Sequence, residues 1–431
     1  MASERFSSVN RWSRLCFILL CVIWASFVIW ANLSLSVMRA ENRAQNLPVG
    51  VFSFSDGTVL TQDFAYNLLF LKGVQERLVS HPYRLEDQEN LLRRMVPEGT
   101  QGMTHAYSPV AFVLALPLLS ISGGHAYLLY TILCAAGVLL LFYFHLLPQV
   151  ESLLQIYALL ACTVSVCVML GLIVGQSALI TTTFLGALWC LLKRRPTSCS
   201  LVSDILIAAL FWALSFKPSL TLIPLALLLG ARAWRPVVLG LLLLLATWIC
   251  VADYYGGWWT GFRDYLFLLN HYDNADFTPF FQRGYETPDH QHLTRLLFSL
   301  DRDLILATSL SLIILRWMRR ITGSEQFQGL VWAFLLLSPY LLPSENWIIC
   351  LLVVEGSFFQ SRNLAVIAGK FLLLCAVLNL RSGLVFPWPV DAYLKWLLFA
   401  WIVVEWLQAR KNRGQRTRLT YAPPCPLPVN H

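Results

Sequence analysis

Two ionisable residues, Asp63 and Lys217, stand apart from the apolar sequence near them. Asp63 lies in the polar segment 39–105, and Lys217 interrupts the apolar residues 204–229. A carboxylate can take a proton from an acceptor hydroxyl, and a lysine can offset the charge on a departing phosphate. Each residue also has a structural interpretation, because aspartate commonly caps a helix and a lysine can extend to a membrane surface.

Other polar residues are weaker candidates for chemistry. His105 ends the polar segment and could reach a substrate, and Arg263 lies in a second polar segment where it could meet a phosphate. Several acidic residues share the first segment with Asp63, but arginines alternate with them, which favours a solvated and mutually paired surface. These acidic residues are Glu86, Asp87, Glu89 and Glu98.

The composition indicates what must position these residues. Hydrophobic residues make up 57% of the 431 residues and charged residues only 13%, which is about half the charged share of a soluble domain. A soluble globule is therefore excluded, and repeated apolar stretches predict an all-α, polytopic integral membrane protein. The net charge of +8 lies in short basic runs between these stretches, which is typical of cytoplasmic loops and not of a nucleic-acid surface.

The basic runs predict the orientation. Arginines before the first apolar span place the N-terminus in the cytoplasm, so residues 39–105 form a first external loop and residues 253–302 a second. One transmembrane catalytic domain is predicted over residues 1–409, followed by a basic cytoplasmic tail over 410–431. The first loop is predicted to carry an amphipathic helix over residues 64–79 that lies along the membrane surface, with Asp63 at its start.

The number of membrane crossings is roughly eleven to thirteen. Four apolar stretches lie between the first external loop and Lys193, although an odd number is needed to reach the cytoplasm. Either one stretch is re-entrant or too short, or Lys193 lies outside, and a break at residues 171–176 is the favoured explanation.

No cofactor is predicted. The chain lacks the glycine-rich nucleotide motifs and a carboxylate–histidine zinc pattern. Residues 301–303 resemble the Asp-x-Asp metal motif of nucleotide-sugar enzymes, but they begin a predicted helix, where capping is the simpler role. An activated donor would therefore have to be carried by a lipid.

Five short motifs then occur in a recognisable order. They are Asp63-Phe64-Ala65-Tyr66 with Pro82-Tyr83, Tyr107-Ser108-Pro109, Gly175-Gln176, Phe216-Lys217-Pro218 and Leu337-Ser338-Pro339. In combination they resemble glycosyltransferase family 87, whose members are polytopic, polyprenyl-phosphate-sugar-dependent mannosyl- and arabinofuranosyltransferases. The chain departs from that family at Ala178, where asparagine is usual, and after Pro339, where tryptophan and histidine often follow.

The resemblance implies a C-type glycosyltransferase fold in a bacterial inner membrane. It implies transfer of mannose or a related pentose from a polyprenyl phosphate to a lipid or glycan acceptor at the outer face, with inversion and without a metal. Asp63 would be the general base, and membrane lipids, donor and acceptor would be the partners. Expected substrate contacts are Lys217, Tyr66, Tyr83, His105, Tyr107, Gln176, Arg263, Glu345 and Asn346.

Two other classes remain open. A polyprenyl-lipid flippase or other transporter would need coupled charges or paired broken helices in two related halves, and the sequence offers neither. An O-antigen ligase or polymerase would place its catalytic loop late in the chain. Residues 253–302 would then be essential and Asp63 dispensable.

Overall fold

A computed structural model describes most of the chain, and it is almost wholly helical, which confirms the predicted helical class. The exception among the described residues is a small sheet within residues 39–105, in strand order β1-β2-β3, with β1 antiparallel to β2 and β2 parallel to β3. The strands are Val51–Ser53, Val59–Thr61 and Thr100–Gln101. The described residues are 2–44, 51–53, 59–61, 63–95, 100–101, 105–150, 152–175, 177–194, 200–271, 291–337, 347–353, 355, 364–379, 394–405 and 407–408.

The helices are numbered in chain order. The first eight are α1 (Ala2–Ala44), α2 (Asp63–Gln75), α3 (Leu85–Met95), α4 (Pro109–Leu119), α5 (Gly123–Leu141), α6 (Leu153–Thr163), α7 (Val166–Val174) and α8 (Ala178–Arg194). A π turn (Phe142–Leu146) and a 3₁₀ turn (Leu147–Gln149) extend α5. The next nine are α9 (Leu201–Leu214), α10 (Pro218–Gly230), α11 (Trp234–Cys250), α12 (Trp258–His271), α13 (Gln291–Trp317), α14 (Gly323–Leu337), α15 (Cys350–Val353), α16 (Leu364–Asn379) and α17 (394–405).

These helices pack around an apolar core. Helix α9 contacts α8, α10 and α11, whereas α13 contacts α10 and α14, and α1 contacts α5, α6 and α7. Close approach of α11 to α9 requires Gly240, because a Cβ there would lie 2.3 Å from the Phe211 ring. The bundle therefore forms a closely packed scaffold for the loops at its ends.

Two of the described helices are long and apolar enough to cross a membrane. They are Arg14–Ser34, within α1, and Gly123–Gln149, which comprises α5 and the turns that extend it. Six further apolar helices have 10–17 residues and lie in α4, α6, α9, α10, α11 and α16. Length and composition thus identify two of the predicted spans.

The two ends of the bundle carry different polar residues. The site end contains Asp63, Gly175 and Lys217, since Phe64 packs on Gly175 and Asp63 interacts electrostatically with Lys217. The basic end contains Lys193, Arg316 and Glu355, because Lys193 is ion-paired with Glu355 and shares a cavity with Arg316. Helix α8 separates the two ends, and its 17 residues span about 25 Å.

The break at residues 171–176 stays a prediction, because residue 176 lies outside the described residues, and the apolar stretch whose two ends lie on one side of the bundle is α4. Helix α4 has only 11 residues and is about 16 Å long, roughly half of a hydrocarbon core. Both of its ends stay at the site end, where Val110 packs with Phe216 and Leu119 packs in the cluster of Val251. Helices α5, α6, α7 and α8 follow α4 in the chain, and Lys193, in the last turn of α8, lies at the basic end.

The surface helix that the sequence predicts over residues 64–79 differs from the structure in where it ends and in how deeply it is buried. Helix α2 ends earlier, at Gln75, and it is largely buried, with Tyr66, Phe70 and Val74 inside the fold. The amphipathic helix of this loop is α3, which buries Leu91 and Leu92 while Glu89 and Arg93 form an ion pair on its outer side. The apolar residues of α2 pack against α4 and α5, because those helices cover the face that the sequence alone assigned to a membrane surface.

Candidate active site

Asp63 is the first residue of α2 and follows β2 closely in the chain. Its side chain is half-buried. One turn later, the Asn67 side-chain nitrogen donates a hydrogen bond of 2.8 Å to the Asp63 carbonyl oxygen. This bond ties the start of the helix to its own first turn, so the backbone that carries the carboxylate is fixed.

A glycine at the end of α7 contacts the residue after Asp63 and so also fixes the position of Asp63. Gly175 ends α7 with φ +73°, a left-handed conformation that favours glycine. A Cβ at Gly175 would lie 2.2 Å from the Cβ of Phe64, so both the conformation and the close contact require glycine. The Phe64 ring continues into an aromatic group, with centroids 4.9 Å from Tyr130 and 5.5 Å from Tyr127. The residue after Asp63 is thus held against the end of α7.

Lys217 lies in the turn between α9 and α10, immediately before the proline that begins α10. The side chain is only 8% exposed. Burial lowers the pKa of its ammonium group to about 8, and the negative charge of Asp63 partly offsets this by favouring the charged form. The two residues that the sequence singled out therefore lie within electrostatic range of each other.

The end of the first loop is bonded directly to the Lys217 turn. The backbone nitrogen of Ser108 donates to the Phe216 carbonyl oxygen at 3.0 Å, and the Ser108 hydroxyl donates to the Ser215 carbonyl oxygen at 2.8 Å. The Tyr107 ring lies 5.6 Å from the Phe216 ring. Two short motifs that are distant in sequence thus form one turn-to-turn contact beside Lys217.

His105 is held on four sides within the same region. Its backbone exchanges two hydrogen bonds with the Gln88 side chain, at 2.9 and 3.1 Å. The imidazole stacks on Phe70 at 4.2 Å and meets the edge of Tyr107 at 5.3 Å. Its Nδ1 lies 2.8 Å from Asn67 Oδ1. Burial lowers the pKa of His105 to about 3, so the ring is neutral at physiological pH.

These hydrogen bonds also fix the tautomer of His105. Because Asn67 Nδ2 donates to the Asp63 carbonyl, the amide oxygen of Asn67 must face the imidazole as an acceptor. His105 Nδ1 therefore carries the proton, and Nε2 carries a lone pair. Nε2 is buried and has no hydrogen-bond partner within the described part of the chain. It can accept a hydrogen bond from a hydroxyl but cannot attract a phosphate.

Tyr83 and Tyr66 are both buried. Tyr83 stacks on Tyr255 at 4.9 Å, and its hydroxyl donates to the Tyr107 carbonyl oxygen at 2.9 Å. Burial, reinforced by the neighbouring Tyr255 and Tyr265, raises the pKa of Tyr83 well above its ordinary value. Tyr66 is buried in the same cluster. The structure thus gives Tyr83 a positioning role toward Tyr107.

The described contacts of Arg263 are with its chain neighbour, and its expected place at a phosphate site stays a prediction. Its guanidinium is largely exposed and lies 3.4 Å from Asp264, and no contact between described residues links it to Asp63 or Lys217. Asp264 instead joins the two loops, since Arg84 donates to it at 2.9 Å and the His81 ring lies 3.6 Å away. Of the remaining expected contacts, Gln176, Glu345 and Asn346 lie outside the described residues.

The positioning contacts of Asn67, Gln88 and Asp264 were not predicted from the sequence. Asn67 could have been found, because it lies one helical turn after Asp63 and so shares its face. Gln88 and Asp264 gave no sequence signal, because their partners are distant in the chain. Among the described residues, no group of three or more metal-binding side chains was found.

Comparison with protein-family models, with curated proteins and with solved structures found no match for this chain.

Proposed function

We propose that the chain is a multi-spanning membrane glycosyltransferase that moves a sugar from a polyprenyl phosphate to a lipid or glycan acceptor. Its sequence motifs resemble those of glycosyltransferase family 87, with mannose or a related pentose as the donor sugar. The site end would face the outer side of a bacterial inner membrane, and the basic end would face the cytoplasm. No metal or nucleotide takes part in this proposal.

Apolar side chains on the outside of the bundle support the membrane location. Helix α1 exposes Ile18, Val22 and Leu33, and α11 exposes Leu242 and Ile249. Soluble proteins rarely expose such surfaces over several turns, because apolar area in water is unfavourable. The concentration of lysine and arginine at one end agrees with a cytoplasmic orientation of that end.

The proposed reaction is a single displacement. The Asp63 carboxylate takes the proton of an acceptor hydroxyl as that oxygen bonds to the anomeric carbon. The bond from this carbon to the phosphate oxygen breaks on the opposite face, and polyprenyl phosphate leaves with the electron pair. The Lys217 ammonium group, which lies at the positive end of α10, offsets the charge that develops on the phosphate.

His105 has a different part in this scheme. With a pKa of about 3, the neutral imidazole is too weakly basic to replace Asp63, because an effective base has a pKa closer to the working pH. Its imidazole, packed between Phe70 and Tyr107 and bonded to Asn67, would instead hold the start of α2 in position. Tyr107, held by Tyr83 and by Phe216, would form the adjacent wall.

The observation that carries the proposal is that hydrogen bonds of Asn67 with Asp63 and His105, and of Ser108 with the turn before Lys217, hold Asp63 and Lys217 at the same end of the bundle. A base for the incoming hydroxyl and a cation for the departing phosphate must both lie beside the reacting carbon. The long first loop is folded into this site by Ser108 and His105, so it supplies residues to the site and does not simply connect two helices.

Asp63→Asn tests the proposal. The variant should lose about a thousandfold in transfer rate, since a general base typically contributes 10²–10⁴-fold, while its expression and thermal stability stay near wild type. Transfer is measured in membranes with a radiolabelled polyprenyl-phosphate sugar. Asp253→Asn, which removes an exposed carboxylate from the same end, should transfer at the wild-type rate.

Near-normal transfer by Asp63→Asn would refute the assignment of the base. A parallel assay of lipid movement across the bilayer separates the transporter alternative, because a flippase would move labelled polyprenyl lipid without forming a glycosidic bond. A ligase-like enzyme would tolerate Asp63→Asn and fail on changes within residues 253–302.

A further inference from the structure

A cavity at the basic end lies on the opposite side of the bundle from Asp63. It has a volume of about 290 Å³ and lies between α8, α10, α13 and α14. Trp189, Leu192 and Leu227 form an apolar wall, and Lys193 and Arg316 supply positive charge. Among the lining residues that the structure describes, none is acidic. The cavity therefore combines an apolar surface with a cationic one.

Lys193 is held at this cavity by two hydrogen-bond acceptors. Its ammonium nitrogen lies 3.0 Å from Glu355 Oε1 and 2.8 Å from Gln149 Oε1. Glu355 is buried and also accepts hydrogen bonds from Trp189 at 2.6 Å and Ser324 at 2.7 Å. The carboxylate is thus engaged in the wall, and the lysine is fixed in position by it.

Arg316 is held in a way that leaves donors available. One terminal nitrogen donates to the Ile321 carbonyl oxygen at 3.2 Å, whereas a guanidinium group has five N–H donors. Helix α14 begins beside it at Gly323, where a Cβ would lie 3.6 Å from both Arg316 Nη2 and Trp189. Glycine keeps this space open, and the positive end of the α14 dipole faces the same region.

We propose that this cavity binds a phosphate group carried by an anionic phospholipid of the cytoplasmic leaflet. Lys193 and Arg316 would contact the phosphate, and the lipid chain would lie along Leu192 and Leu227. Basic pockets between membrane helices on the cytoplasmic side are suited to anionic headgroups, and the apolar wall favours a lipid over a free anion. The inference rests on the proposed membrane location but not on the proposed sugar transfer.

The test uses the purified full-length chain in detergent. Native mass spectrometry measures the binding of phosphatidylglycerol and, for comparison, of phosphatidylcholine. Wild type should retain phosphatidylglycerol preferentially, and Arg316→Gln should bind it roughly tenfold more weakly, because a charge-assisted hydrogen bond is lost. Arg316→Lys should fall between them, because it keeps the charge and loses the planar donor group.

Arg235→Gln is the matched control, since it removes one exposed arginine from the same end of the bundle. It should bind phosphatidylglycerol as wild type does. Equal binding by wild type and Arg316→Gln, or equal weakening in Arg235→Gln, would overturn the site. Stabilisation by inorganic phosphate that matches the effect of phosphatidylglycerol and disappears in Arg316→Gln would overturn the lipid as the source. Sugar transfer is not measured, so failure here is distinct from failure of the proposed reaction.

Discussion

A carboxylate and a lysine interact at each end of the bundle, and the two combinations differ in which partner is buried and in how its charge is compensated. At the basic end, Glu355 accepts hydrogen bonds from Lys193, Trp189 and Ser324. At the site end, Lys217 is buried deeply enough that its pKa falls to about 8, although Asp63 acts in the opposite direction. The Glu355 carboxylate is hydrogen-bonded to three donors, whereas the cost of burying the Lys217 charge is only partly offset by Asp63.

This difference indicates why one combination is suited to chemistry and the other to stability. A carboxylate with all its hydrogen bonds made has little to gain from a ligand, and removing it leaves its buried donors without an acceptor. A lysine whose charge is only partly offset can gain from a phosphate, and a perturbed pKa in such a setting is a functional signal. A carboxylate and a lysine meet at both ends, so their surroundings decide the role of each combination.

The largest contrast is expected in stability. Glu355→Ala should lower the free energy of unfolding by about 3–5 kcal/mol, because it leaves Lys193 without its carboxylate and two donors without an acceptor. Lys217→Met should lower it by less than about 1 kcal/mol or raise it, because it removes a charge that burial disfavours. Denaturant unfolding in detergent measures both. Equal losses would remove the distinction between the two ends.

The glycine contact at the site end predicts the next effect. Gly175→Ala should cost about 2–4 kcal/mol, combining the strain of a positive φ with the collision against Phe64. Gly257→Ala is the matched control, because Gly257 has φ +99° but nothing within 4 Å of its added Cβ. It should cost only about 1–2 kcal/mol. Similar values in the two variants would show that Phe64 moves aside, and Asp63 would then not be held by this contact.

A smaller effect should appear in the acid dependence of stability. Folding lowers the pKa of His105 to about 3, so at pH 5 the unfolded chain binds a proton that the folded chain does not. Wild type should therefore lose about 2 kcal/mol between pH 7 and pH 5 through this residue alone. His105→Phe keeps the ring on Phe70 and should lose correspondingly less over the same interval.

The control for this measurement is His125→Phe, which replaces an exposed histidine and should keep the wild-type loss because His105 is unchanged. Thermal or denaturant unfolding at the two pH values gives the comparison. If His105→Phe and wild type lose equal stability on acidification, the imidazole is not buried as described.

The smallest predicted change is in the alkaline limb, which is the fall of the transfer rate at high pH. If Lys217 must be protonated to stabilise the departing phosphate, transfer should fall about tenfold per pH unit above a pH of about 8. Lys217→Arg should lack this limb, because guanidinium stays protonated. Lys72→Arg, on the exposed side of α2, should keep it. An unchanged limb in Lys217→Arg would assign the titration to another group.

Much of the helical structure could be predicted from the sequence, because apolar stretches and flanking basic runs are local signals. Asp63 at the start of a helix and Lys217 in a break between apolar stretches follow from the same kind of pattern. The amphipathic surface helix was misassigned because α4 and α5 cover α2, which is a tertiary effect. The sequence counted α4 among the possible spans because its residues are apolar, and only the packing shows that both of its ends lie on one side of the bundle.

The sequence by itself determined the helical class and the residue types that could take a proton or hold a phosphate. Only the tertiary structure decided that Lys217 and Asp63 interact, that Asn67 fixes the tautomer of His105, and that Asp264 links the two loops. These contacts join segments that are distant in the chain, and their strength depends on burial, which arises only when the helices pack.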